Sequence, residues 1–101
     1  IDIDGETGDA VWSAGPGRVV YAGPASEGYS GYGLMVIVDH GGGQTLYAHL
    51  SRIDASVGDI VDAGTVIGAM GATGNVTGSH LHFELRINGR PVDPAPYLPE
   101  R

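Results

Sequence analysis

The chain has no cysteine and no lysine among its 101 residues. Without cysteine it can form neither a disulfide framework nor thiolate ligands for a metal. All five basic residues are arginines (Arg18, Arg52, Arg86, Arg90 and Arg101), set against twelve acids, so the formal charge is −7. That balance argues against nucleic acid as a partner, because a basic footprint supplies most of that affinity. It also argues against adsorption to anionic polymers by charge alone, so a targeting domain or partner is needed if the chain works on such a surface. No apolar run approaches the roughly 20 residues that a membrane-spanning helix requires.

Eighteen glycines and six prolines are present. They fall in short clusters between runs rich in Val, Ile and Tyr, which is the pattern of short strands and tight turns. No segment reads as a helix. Strands are expected over residues 10–12, 17–22, 34–39, 45–50, 59–61, 66–70 and 80–87, with a further strand opening the chain. Gly41-Gly42-Gly43 joins two of these as a hairpin, and Asn88-Gly89 is a pair that takes positive φ at little cost after the last. The expected fold is therefore all-β, a compact antiparallel sheet sandwich with short strands and long glycine-rich loops. A chain of this length forms one domain, residues 1–101, and buries roughly 60–70% of the surface of its unfolded form.

The most informative stretch is His80-Leu81-His82-Phe83-Glu84-Leu85. Side chains alternate across a strand, so His80, His82 and Glu84 share one face while Leu81, Phe83 and Leu85 share the other. Two imidazoles on one face are suited to a shared zinc ion and also serve as bases near neutral pH. A third imidazole comes from Thr45-Leu46-Tyr47-Ala48-His49-Leu50, where alternation places Tyr47 and His49 together. At the start, Ile1-Asp2-Ile3-Asp4 puts two carboxylates opposite two β-branched residues. Tyr32 and Tyr47 are candidates for lining a substrate groove, since tyrosine combines apolar area with a hydroxyl; core packing is the competing place for Tyr47.

With these residues in order, the chain resembles the lysostaphin-type, or LytM-like, zinc endopeptidases, which cut peptide bonds in bacterial peptidoglycan. The resemblance runs from Ile1 to about Leu98. It is carried by Ile1-Asp2-Ile3, Tyr32-Gly33, Val38-Asp39-His40-Gly41, Leu46-Tyr47-Ala48-His49-Leu50, Val57-Gly58-Asp59, Thr73-Gly74 and Gly78-Ser79-His80-Leu81-His82-Phe83-Glu84. Where members of the family often have Asn after Tyr-Gly, this chain has Leu34.

The resemblance implies that Asp2 and His82 are zinc ligands within a zinc cleft and that His49 and His80 are the catalytic pair. One of the pair takes the proton of the attacking water while the other stabilises the oxyanion or returns a proton to the leaving amine. A third ligand, the His of a His-x-x-x-Asp motif, is expected three residues before Ile1, on a chain cropped from a longer protein. The implied activity is metal-activated hydrolysis of peptidoglycan cross-bridges or stem peptides, outside the cell, in the cell wall or in the periplasm. The alternative is a non-catalytic LytM-like module that binds and regulates a cell-wall amidase.

The segment from Val57 to Gly68 also resembles biotinyl and lipoyl carrier domains. Those need a modifiable lysine, which this chain lacks. Among the remaining polar residues, His40 and Asp39 are expected to serve the hairpin at Gly41, and Glu84 to orient a neighbour or pair with an arginine.

Overall fold

The computed structural model describes residues 2–25, 29, 31–73 and 78–92. Among them are nine strands and no helix: β1 (Asp2–Asp4), β2 (Ala10–Trp12), β3 (Gly17–Pro24), β4 (Leu34–Asp39), β5 (Gln44–Ile53), β6 (Ile60–Val61), β7 (Val66–Met70), β8 (His80–Ile87) and β9 (Arg90–Val92). All pairings are antiparallel within one sheet, ordered β1-β8-β5-β4-β3-β6, with β7 bridging β5 to β2 and β9 flanking β8. The all-β antiparallel expectation holds. The strands form one connected sheet, and two of them run longer than the sequence pattern suggests.

Each face of the sheet carries its own apolar cluster. Val36, Val38, Tyr47, Leu50, Ile67, Leu81 and Phe83 belong to one, and Met35, Ile37, Leu46 and Ala48 to the other. β4 is buried on both sides, which explains its unbroken Leu-Met-Val-Ile-Val run. Full burial of each such side chain contributes roughly 1.5–3 kcal/mol. The hairpin expected at Asn88-Gly89 joins β8 to β9, with positive φ at both residues, 54° and 77°. At the other hairpin Asp39 accepts from the Gly41 amide at 2.8 Å. His40 instead reaches back across the fold, bonding the Pro16 carbonyl and Thr45 Oγ1, each at 2.7 Å.

β5 is the strand that positions the site, because it changes partners partway along. Residues 44–48 pair with β8, while Leu50, Arg52 and Ile53 pair with β7. His49 sits at this fork with φ of 62°. A left-handed residue in a strand breaks the two-residue alternation, so the shared face expected for Tyr47 and His49 does not form. Tyr47 turns into the first cluster, against Phe83 at 5.4 Å between ring centroids.

Candidate active site

β1 lies beside β8 with Asp2 opposite His82 and Asp4 opposite His80. Cross-strand partners project to the same side, so the carboxylate of Asp2 is delivered to the histidine row from the far end of the chain. Asp2 Oδ1 lies 2.7 Å from His82 Nδ1 and 3.8 Å from His80 Nε2. The hydrogen bond with His82 is the main reason the Asp2 carboxyl is held below its usual value, against an opposing effect of burial. The side chain of Asp4 lies outside the described residues.

His49 enters from the fork in β5. Its ring centroid is 4.9 Å from that of His80 and 6.1 Å from that of His82. Two main-chain carbonyls fix it: its amide donates to Tyr32 O at 2.9 Å, and its Nδ1 contacts Thr73 O at 2.7 Å. A carbonyl only accepts, so Nδ1 carries the proton and Nε2 presents a lone pair. Burial lowers the His49 pKa, partly countered by the Thr73 bond, with the neighbouring His80 and His82 lowering it further. His80 is arranged in the same way, Nδ1 against Gly78 O at 3.2 Å. The cleft thus holds two imidazoles able to take or return a proton beside an acid and a third imidazole.

Tyr32 forms the wall. Its ring meets His82 edge-on at 5.3 Å and lies 6.2 Å from His49. Its hydroxyl donates to Glu84 Oε2, and burial, then the nearby carboxylate, raises its pKa. Glu84 Oε2 also lies 2.7 Å from His82 Nε2, and Arg86 Nε donates to Glu84 Oε1 at 2.7 Å. Burial pushes the Glu84 carboxyl up, but the bonds from Tyr32, His82 and Arg86 outweigh it and leave the group lowered. The Arg86 guanidinium in turn rests over Tyr29, 5.1 Å from the ring centroid.

Of the residues picked out in the sequence, the fold brings together Asp2, His49, His80, His82 and Tyr32. Tyr47 is a correction. At 1% exposure it lies in the core on the opposite face, beside an apolar cavity of about 880 Å³ that Val11, Met70, Leu81 and Phe83 also line. Its hydroxyl accepts from the Ala14 amide and bonds Thr45 Oγ1, so groove lining does not fit it. Thr73 and Tyr29 were missed as contacts, the first because it acts through its carbonyl, which no side-chain pattern reveals.

Zinc takes imidazole nitrogen and carboxylate oxygen in a four-coordinate site. Asp2 and His82 fit that chemistry and face each other. Among the described residues no group of three or more His, Cys, Asp or Glu side chains is arranged to hold a metal ion.

The fold is thus an all-β antiparallel sheet with a histidine row and an acid from the neighbouring strand on one side, and comparison with known proteins gives the family. Residues 1–94 match Peptidase family M23, and the chain belongs to that family. It is 43% identical over 95 residues to the DD-carboxypeptidase/endopeptidase Mpg of Neisseria meningitidis, covering 93% of this chain and 21% of that protein. It is 41% identical over 102 residues to the murein hydrolase activator NlpD of Escherichia coli, covering 100% of this chain and 26% of that protein. The catalytic domain of lysostaphin from Staphylococcus simulans superposes with a TM-score of 0.86 at 34% identity, covering 95% of this chain and 74% of that one. The chain spans about a third or less of the length of the curated relatives it matches.

Proposed function

We propose that this chain is a zinc-dependent endopeptidase that hydrolyses peptide bonds of bacterial peptidoglycan, in cross-bridges or stem peptides, in the periplasm or cell wall. The observation that carries the reading is the convergence of Asp2, His49, His80 and His82 from three strands onto one side of the sheet. Asp2 and His82 would hold the metal, with a third ligand from outside this sequence. Zinc supplies a Lewis acid and brings the pKa of water down to about 7. His49 and His80 present Nε2 lone pairs, so either can accept the proton of the attacking water and, once protonated, return it to the leaving amine. Burial lowers the His49 pKa and so favours the neutral ring, the form a base requires.

A second reading is a regulatory module that binds a cell-wall amidase. It is favoured by the identity to an activator along the whole chain and by the finding that, among the described residues, no three His, Cys, Asp or Glu side chains are arranged to hold a metal ion. The full-length protein separates the two. Stoichiometric zinc with release of new amino termini from purified peptidoglycan supports the peptidase. A zinc-free, inert protein that stimulates an amidase supports the regulator and rules out the first reading.

A further inference from the structure

We propose that Glu84 is a positioning residue that sets the orientation and tautomer of His82 as a metal ligand, with Tyr32 and Arg86 holding Glu84 in place. The inference rests on the zinc-peptidase reading.

Glu84 is buried, 9% exposed, and the two oxygens of its carboxylate are used differently. Oε1 accepts from Arg86 Nε and lies 2.7 Å from the terminal Nη2, which pairs the charge. Oε2 is turned the other way, accepting from the Tyr32 hydroxyl and lying 2.7 Å from His82 Nε2. An ion pair whose only task is to neutralise a buried acid needs the first set of contacts and not the second. A carboxylate only accepts, so His82 Nε2 must carry its proton. By the same rule Nδ1–H donates to Asp2, 2.7 Å away, and a metal at Nδ1 would take the place of that proton while Nε2–H stays on Glu84. Metal-bound histidines are ordinarily braced in this way, through the nitrogen that does not face the metal.

Packing does not do the same job. On the β5 side the cross-strand neighbour of His82 is Ala48, whose side chain ends at Cβ and offers the ring no wall, and on the β1 side it is Asp2, which meets the ring at Nδ1. Steering falls to Glu84, two residues along the same face, and to the edge-on Tyr32 ring. Arg86, two residues further on, completes an alternating row of ligand, brace and anchor on β8.

The test uses the full chain stripped of metal, with zinc affinity read by competition against a chromophoric chelator. Glu84→Ala should bind zinc about 10- to 100-fold more weakly than the parent. Glu84→Gln, whose amide oxygen still accepts from Nε2–H, should recover most of that loss. Nitrogen-15 spectra of the zinc-loaded parent should show His82 protonated at Nε2, a readout that does not depend on how Glu84→Ala folds. Equal affinity for Glu84→Ala and parent, equal loss in the Ala and Gln variants, or a proton on His82 Nδ1 overturns the role of Glu84. In each of those results the parent still binds zinc and Asp2→Ala does not, so the peptidase reading survives. A parent that takes up no zinc overturns both.

Discussion

Replacing Gly33 by alanine should damage the protein through one residue, Thr73. Gly33 has φ of +67°, and a Cβ built there would lie 2.5 Å from both the Thr73 carbonyl carbon and Oγ1, and 2.6 Å from the Thr73 oxygen. Left-handed backbone costs a non-glycine residue roughly 1–2 kcal/mol. Forcing a methyl against main chain adds about 1–3 kcal/mol. Even the smallest sum, about 2 kcal/mol, lowers the Tm of a domain this size by about 8–16 °C. Gly58→Ala is the control, since Gly58 has φ of +96° with nothing within 4 Å of the added carbon, so only the backbone cost applies. The difference between the two melting curves, followed by circular dichroism, isolates the clash. Thr73 cannot retreat freely, because its Oγ1 donates to Leu50 O at 2.6 Å, accepts from the Leu34 amide at 3.1 Å, and its carbonyl holds His49. Whatever variant folds should therefore also lose about 10²-fold in peptidoglycan hydrolysis, the scale of an ångström-sized misplacement of a reacting group. A Gly33→Ala protein that melts no lower than Gly58→Ala would refute the reasoning.

His49→Ala and His80→Ala should cut turnover by about 10²- to 10⁴-fold and keep zinc, whereas Asp2→Ala and His82→Ala should lose the metal; equal zinc loss in all four, by metal analysis beside hydrolysis assays, contradicts the division. Chelation should lower the Tm of the parent, since metal at 100 times its dissociation constant contributes about 2.7 kcal/mol, and should leave the melting of Asp2→Ala unchanged. Tyr47→Phe removes the bond from the Ala14 amide, on an exposed residue that water can reach, and should cost about 0.5–1.5 kcal/mol in denaturant titration. Burial also raises the Tyr47 pKa above its usual 10.0, so the unfolded chain releases that proton first. Stability from this group is complete below pH 10.0 and declines as the pH climbs toward the folded value; the Phe variant should lose that part of the alkaline slope.

Much of this site is legible in the chain because β8 is regular. Its alternation sorts His80, His82 and Glu84 from Leu81 and Phe83 without reference to any other strand, and the structure keeps that sorting. The turn at Asn88-Gly89 is equally local, although the short strand that follows it carries a proline and a glycine-led start that no strand pattern advertises. β5 is where reading by period fails. Its register depends on two partners that replace one another at His49, and a backbone angle imposed by tertiary pairing leaves no mark in Tyr-Ala-His-Leu. For that reason the period of β5 leaves Tyr47 open between groove and core, and the structure has it in the core. The links from Thr73 and Tyr32 to His49 run through carbonyls, which every residue possesses, so side-chain identity carries no sign of them.

The same carbonyl links bear on how the domain can be redesigned. Because both bonds that aim His49 come from the main chain, side chains affect the aim only through the backbone they hold, as the Thr73 hydroxyl and the bare Gly33 do. A library that randomises residues around the cleft while sparing Gly33 and Thr73 could recast its shape and polarity freely, and the imidazole would still arrive at the same angle.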